Sequence, residues 1–190
     1  MDGTPQEARV CVLHERLSAC ARGRPNDELL ARMLASRACD LGGLPPDLGL
    51  DPDGFRRMLD RNFAGADWPA PAGVGPAVDP NRQPERDDLR RLLLAHRARI
   101  DASERWVAEI VAAGCMGGNH LWQDLGLRSR GDLNDLMATN FPELAARNDR
   151  NMKWKKFLYK QLCEREGIHA CRAPSCQVCI DYAQCFGPEE

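Results

Sequence analysis

Long apolar runs, strand patterns and lysine are what this 190-residue sequence has least of. No stretch approaches the roughly 20 apolar residues that cross a bilayer. The first residues include Asp2 and Glu7 and no apolar segment of the kind that a secretory signal requires. We therefore expect a cytoplasmic protein with no membrane partner, in which cysteine thiols stay reduced.

The charge balance excludes a second class of partner. The chain carries 26 Lys+Arg and 28 Asp+Glu, a formal net charge of −2, whereas nucleic-acid-binding domains are usually strongly basic. No glycine-rich phosphate loop follows a strand, and no Ser-His-Asp or paired-carboxylate arrangement stands out from the charged background. We expect no nucleic-acid partner, no catalytic residues and no enzyme activity.

Helical periodicity dominates the chain, so the predicted fold class is all-α: a helical bundle with an irregular C-terminal Cys-rich metal-binding loop. Val10, Leu13 and Leu17 recur at helical spacing and predict a first helix over 5–21. Capping signals predict where others begin, namely Asn26, Asp51 before Pro52, an Asp101–Glu104 capping box and Ser129. Further helices are predicted from Leu89, over 120–125 and over 151–166, with 115–120 as a loop.

One segment interrupts the helices. Residues 64–85 contain five prolines and three glycines, a composition that favours a semi-extended linker. The predicted organisation is an N-terminal helical segment over 1–63, the linker over 64–85 and a C-terminal helical domain over 86–190. The cysteine-rich tail occupies 171–185 of that domain.

Cysteine is concentrated at the C-terminus. Five of the nine cysteines lie in the last 28 residues, and four of them follow the spacing C-x4-C-x2-C-x5-C, at Cys171, Cys176, Cys179 and Cys185. Four thiolates so close together repel one another unless a cation lies between them, and a metal centre supplies that charge. The tail therefore predicts a metal site with these four ligands.

The spacing favours an iron–sulfur centre over zinc without excluding zinc. Zinc sites usually have two C-x2-C pairs separated by a longer spacer, and this motif has only one such pair. Its beginning, C-x4-C-x2-C, is typical of plant-type iron–sulfur ligation, in which the fourth cysteine lies farther along the chain. Disulfides are the least favoured alternative, because the cysteine count is odd and the expected compartment is reducing.

All four lysines precede the tail, at positions 153, 155, 156 and 160. Lys153, Lys156 and Lys160 share one face of the predicted last helix, while Trp154, Phe157, Leu158, Gln161 and Leu162 form its inner stripe. Residues 150–172 hold seven Lys+Arg against two acidic residues. This local positive charge would attract an oxyanion or an acidic partner surface. A solvated helix face with no such role is an equal alternative.

Other candidate ligands are isolated. Cys163 is a candidate fifth ligand or transfer thiol, and Cys115 with His120 forms a second metal-compatible pair, although two ligands do not define a site. His169 lies two residues before the motif. The alternatives are a core-edge thiol for Cys163, a helix-start residue for His120 and an exposed side chain for His169.

These C-terminal motifs resemble the NifQ family of nitrogen-fixation proteins. The resemblance covers residues 115–190 and is carried by four stretches. They are 119–127 (NHLWQDLGL), 141–148 (FPELAARN), 152–167 (MKWKKFLYKQLCEREG) and the cysteine motif with the FGPEE that follows it.

The resemblance implies a molybdenum donor in the synthesis of the nitrogenase iron–molybdenum cofactor. It implies that the four motif cysteines hold an iron–sulfur cluster, of the 4Fe-4S or 3Fe-4S type, with molybdenum. The implied metal source is molybdate, and the implied partners are the nitrogenase cofactor-assembly scaffold complex and the nitrogenase iron protein. Two alternatives remain from the residues alone, a zinc-stabilised cytosolic binding or regulatory module and an enzyme that uses the cluster for redox or Lewis-acid chemistry.

Overall fold

A computed structural model describes residues 4–68, 80–165 and 185. Over these residues the chain is helical, with no strand, which confirms the predicted all-α class. None of the described helices is long and apolar enough to cross a membrane. One 3₁₀ turn, Pro80–Arg82, precedes α4. The α-helices are α1 (Pro5–Ala19), α2 (Asp27–Ala38), α3 (Pro52–Asn62), α4 (Gln83–Ala95), α5 (Glu104–Cys115), α6 (Leu121–Asp124), α7 (Arg130–Asn140), α8 (Pro142–Arg147) and α9 (Trp154–Arg165).

Local capping chemistry sets several of the helix starts. The Asp51 carboxylate accepts the Gly54 N–H at 2.8 Å at the start of α3, and the Ser129 hydroxyl accepts the Asp132 N–H at 3.2 Å at the start of α7. Both caps confirm the prediction, since each satisfies a backbone donor that has no partner within its helix. The loop predicted over 115–120 is wrong by one residue, because α5 continues through Cys115.

Asn26 occupies the predicted N-cap position of α2, but its side chain makes no capping hydrogen bond. It is buried instead. Its side-chain NH₂ group donates to the Ser103 hydroxyl at 2.8 Å and to the side-chain oxygen of Asn140 at 2.7 Å. Its side-chain oxygen accepts from the side-chain NH₂ group of Asn140 at 2.9 Å. The predicted capping role is therefore wrong, because buried partners from later in the chain take the side chain.

One large hydrophobic core joins helices from both sides of residues 64–85. Leu30, Met33 and Phe55, before that segment, belong to the same cluster of buried side chains as Leu93 and Ile110 after it. Successive helices pack as pairs, α1 with α2, α4 with α5 and α7 with α8, and α9 packs on α4. Helix α4 begins three residues before the predicted domain start at 86. The division into domains stays a prediction.

Candidate metal-binding tail and the helix that precedes it

The structure describes one of the four predicted ligands. Cys171, Cys176 and Cys179 lie outside the described residues. Cys185 is partly exposed and packs against the edge of the core. Its carbonyl accepts the Lys153 N–H at 2.7 Å, and Lys153 directly precedes α9. The last cysteine of the motif therefore lies at the amino end of α9.

Cys185 lies far from the point at which the described helix stops. Helix α9 has 12 residues and is about 18 Å long. The described chain leaves α9 at Arg165, and Cys185 lies beside the opposite end of the helix. A partly exposed thiol at this place can act as a soft ligand for a metal that other molecules must also be able to reach.

The inner face of α9 matches the predicted stripe. Trp154, Phe157, Leu158 and Leu162 are buried, and Gln161 is half-buried at its margin. The Trp154 and Phe157 rings meet edge to face with centroids 5.6 Å apart, a favoured aromatic geometry. The Trp154 indole N–H donates to the Asn134 side chain on α7 at 2.7 Å. The helix that leads into the tail is thus firmly packed on the bundle.

The four lysines do not share one environment. Lys156 and Lys160 are exposed and Lys153 is half-buried, and Lys160 lies 3.5 Å from Glu164. Lys155 instead turns inward. Its ammonium lies 2.5 Å from the Asp124 carboxylate and donates to the Gly117 carbonyl at 2.7 Å. The outward positive face therefore consists of Lys153, Lys156 and Lys160, as the periodicity predicts.

A second polar contact attaches α9 to α4. The Tyr159 hydroxyl donates to the Glu85 carboxylate, which also pairs with Arg82 at 2.7 Å. The hydrogen bond from Arg82 lowers the pKa of Glu85, although burial opposes this shift. Burial and the hydrogen bond to Glu85 raise the pKa of Tyr159. Glu85 is thus an anion held between a cation and a neutral phenol.

The remaining candidate ligands from the sequence lie in separate parts of the fold. Cys115 is buried at the end of α5, and burial raises the pKa of its thiol to about 12. His120 begins α6, as the alternative interpretation predicted, and Cys163 is half-buried on α9. His169 lies outside the described residues. Among residues 4–68, 80–165 and 185, no three His, Cys, Asp or Glu side chains form a group that would hold a metal ion.

Sequence reasoning missed Asp124. This residue is 1% exposed and accepts the Asn119 backbone and side-chain N–H groups at 3.0 and 3.1 Å, in addition to Lys155. Only glycine fits next to it, since a Cβ at Gly117 would lie 2.4 Å from its side chain and one at Gly43 2.5 Å away. The Gly117-Gly118 pair was a signal of close approach, but it does not identify the partner.

Comparison with known proteins shows which family the chain resembles. The NifQ family model matches residues 29–187, a range that includes all four motif cysteines. Protein NifQ of Azotobacter vinelandii is 42% identical over 181 residues, covering 90% of this chain and 93% of that protein. Protein NifQ of Rhodobacter capsulatus is 37% identical over 161 residues, covering 85% and 87%. The Protein NifQ homolog of Sinorhizobium fredii is 41% identical over 146 residues, covering 75% and 61%.

No solved structure matches this fold significantly. The family model spans well over half of the chain, and two full-length relatives exceed 30% identity. The chain belongs to the NifQ family.

Proposed function

We propose that this protein is an accessory protein of nitrogen fixation that handles molybdenum for the nitrogenase iron–molybdenum cofactor. In this role the thiolates of Cys171, Cys176, Cys179 and Cys185 hold an iron–sulfur cluster, and molybdenum is the cargo delivered to the cofactor-assembly scaffold complex and the nitrogenase iron protein. The observation that supports this best is the family match, which runs through the complete cysteine motif. The four soft sulfur donors suit an iron–sulfur cluster, which would supply a sulfide-rich surface for molybdenum.

The arrangement of the chain fits a carrier. A carrier must release what it binds, so its ligands belong at an accessible edge of the fold. Cys185 is partly exposed beside the amino end of α9, whereas Cys115, in the core, is kept protonated by burial. Protonated thiols are poor ligands. The buried thiol of Cys115 is therefore a poorer candidate ligand than the partly exposed Cys185.

The outward face of α9 supports the same role electrostatically. This face carries Lys153, Lys156 and Lys160, of which Lys160 lies 3.5 Å from Glu164. A groove of about 370 Å³ beside α9 is lined by Arg147, Arg150 and Lys160 and also by Asp149 and Glu164, so its charged lining has a net positive sign. Molybdate and acidic protein surfaces are both attracted to such a positive region. We propose that this face gathers molybdate or guides the docking of a partner.

Metal analysis of anaerobically purified protein tests the proposal. We expect iron and sulfide with a brown absorption band near 400 nm, and molybdenum after exposure to molybdate. Colourless protein that contains zinc would replace the proposal with a zinc-stabilised binding module. Turnover of a small substrate by the isolated protein would instead indicate an enzyme.

Single substitutions locate the site. Cys171→Ala, Cys176→Ala, Cys179→Ala and Cys185→Ala should each lower iron and molybdenum occupancy by about tenfold or more, because each removes a ligand. Cys11→Ala and Cys20→Ala are the matched controls and should keep wild-type occupancy, since these thiols lie on or after α1. Loss of metal in Cys20→Ala with retention in Cys176→Ala would contradict the proposed ligands.

A further inference from the structure

A largely buried ion pair connects Lys155 on α9 to Asp124, the last residue of α6. Asp124 is 1% exposed and the Lys155 side chain 18% exposed, and Lys155 also donates to the Gly117 carbonyl. Buried pairs of this kind often add little net stability, because desolvation offsets most of their attraction. Their best-attested use is to fix the register of one element against another. The pair therefore limits sliding and rotation of α9.

The turn before α9 is held as well. The Arg130 guanidinium donates to the Asn151 carbonyl at 2.9 Å, the Asn151 side chain at 3.0 Å and the Met152 carbonyl at 3.1 Å. The Asn148 side chain accepts the Met152 N–H at 2.8 Å. Asn151 adopts φ 55°, a conformation that asparagine tolerates better than most residues. Residues 148–152 thus enter α9 along a fixed path.

The Lys155–Asp124 pair and the Arg130 contacts lie on either side of one backbone N–H group. The Lys153 N–H, which lies between the held turn and Lys155, donates to the Cys185 carbonyl at 2.7 Å. Lys153 is only two residues from Lys155, about 3 Å along a helix. A shift of α9 by about 1 Å against Asp124 would move this donor by a similar distance, enough to break its hydrogen bond to Cys185.

We propose that Lys155 is a positioning residue for the metal-binding tail. By pairing with Asp124 it fixes the Lys153 N–H, which in turn places Cys185 at the amino end of α9. Arg130 fixes the same donor from the other side. The inference rests on the proposed function, since it concerns how this chain presents a cluster ligand.

The test compares iron retention with folding. The double variant Lys155→Met/Asp124→Asn removes both charges, so that no buried charge is left uncompensated. Its control, Arg105→Met, removes an exposed cation on α5 that has no part in the proposed lysine face. The proteins are reconstituted anaerobically with ferrous iron and sulfide, and iron release to a ferrous chelator is timed. The thermal midpoint of each metal-free protein is measured in parallel by circular dichroism.

We expect the double variant to release iron about tenfold faster than wild type, as for other losses of support to a metal ligand, while its metal-free midpoint stays close to wild type. Arg105→Met should behave as wild type. An unchanged release rate in the double variant would overturn the inference, and so would a release rate that changes only in proportion to lost folding. Wild-type protein that takes up no iron would overturn the proposed function itself.

Arg130→Gln is a second variant that does not disturb the buried pair. Arg130 is half-buried, and its replacement by glutamine leaves no buried charge uncompensated, so this variant is expected to fold even where the double variant does not. We expect it also to accelerate iron release, while its control, Arg128→Gln, should not. Wild-type release in Arg130→Gln would contradict the proposal that the turn before α9 positions Cys185.

Discussion

Cys115 shows how burial changes the chemistry of a single thiol. It is the last residue of α5, and burial raises the pKa of its thiol to about 12, although the Lys155 ammonium favours the thiolate. At neutral pH the folded protein therefore keeps this thiol protonated. Metal binding by Cys115 would require the ammonium and the metal to overcome the full cost of burying an anion. The fact that Cys115 and His120 are close in sequence does not make Cys115 a metal ligand.

The same shift predicts a loss of stability in alkali. A folded-state pKa of about 12 exceeds the ordinary thiol value, so between about pH 9 and 12 the unfolded chain releases a proton that the folded chain retains. The free energy of unfolding should then fall by up to about 1.4 kcal/mol per pH unit from this residue. Tyr159, whose pKa is also raised, adds to the fall above about pH 10. Urea unfolding at pH 8, 9 and 10 measures how the free energy of unfolding changes with pH.

Cys115→Ala should flatten this dependence even though the variant is less stable overall, because the cavity cost is independent of pH. Cys20→Ala is the control and should keep the wild-type slope, since Cys20 is half-buried after α1. Equal slopes in wild type and Cys115→Ala would show that Cys115 is not the group that titrates.

At the scale of one element, α9 has two faces of different chemistry. Its inner stripe packs on the bundle, while Lys156 and Lys160, with Lys153 just before the helix, place positive charge on the outer side. We expect the triple variant Lys153→Gln/Lys156→Gln/Lys160→Gln to lower the rate of molybdenum loading by at least about threefold at low ionic strength. The difference should shrink in about 0.5 M salt, because exposed charges are screened. Molybdenum content against time measures both effects.

The control is a triple variant of equal charge change elsewhere, Arg9→Gln/Arg16→Gln/Arg57→Gln, which alters exposed side chains on α1 and α3. It should load molybdenum at the wild-type rate. Equal loading and transfer in both triple variants would assign the lysine face to ordinary solvation. This outcome would leave the proposed ligands untouched.

Elements also show where sequence reasoning stops. The inner stripe of α9 and the caps at Asp51 and Ser129 were predictable, because helical periodicity and capping are local. The inward turn of Lys155 was not predictable, since Asp124 lies 31 residues earlier in a four-residue helix that has no clear periodicity of its own. The predicted cap at Asn26 was wrong for the same reason, because its partners Ser103 and Asn140 lie 77 and 114 residues away. Local sequence patterns identify the buried and exposed faces of a helix, whereas contacts with distant residues determine where individual polar side chains point.

On the scale of the whole molecule, the two sides of residues 64–85 are linked by polar as well as apolar contacts. Asn26 bonds to Ser103 and Asn140, and Arg61 pairs with Asp101 at 2.9 Å. These contacts are long-range in sequence, so they form only when α2 and α3 have docked on α5 and α7. Coupling of this kind predicts that the helices on the two sides unfold together, whatever the path of the segment between them.

Asn26→Ala tests this coupling. The substitution leaves the Asn140 side chain and the Ser103 hydroxyl short of buried partners, at a cost of about 2–3 kcal/mol. We expect a single unfolding transition with a lower midpoint, and hydrogen exchange that accelerates equally in α2, before residue 64, and in α7, after residue 85. Thr139→Ala, an exposed neighbour on α7, should change the free energy of unfolding by less than about 0.5 kcal/mol.

Two separate transitions, or faster exchange confined to α2, would instead support the predicted division at 64–85 as a boundary between independent units. The distinction matters for the tail, because α9 packs on α4 and belongs to the shared core. If the halves unfold as one, the stability of the N-terminal helices limits how firmly α9 holds Cys185. Asn26→Ala should then also accelerate iron release from the reconstituted protein, although Asn26 has no described contact with α9.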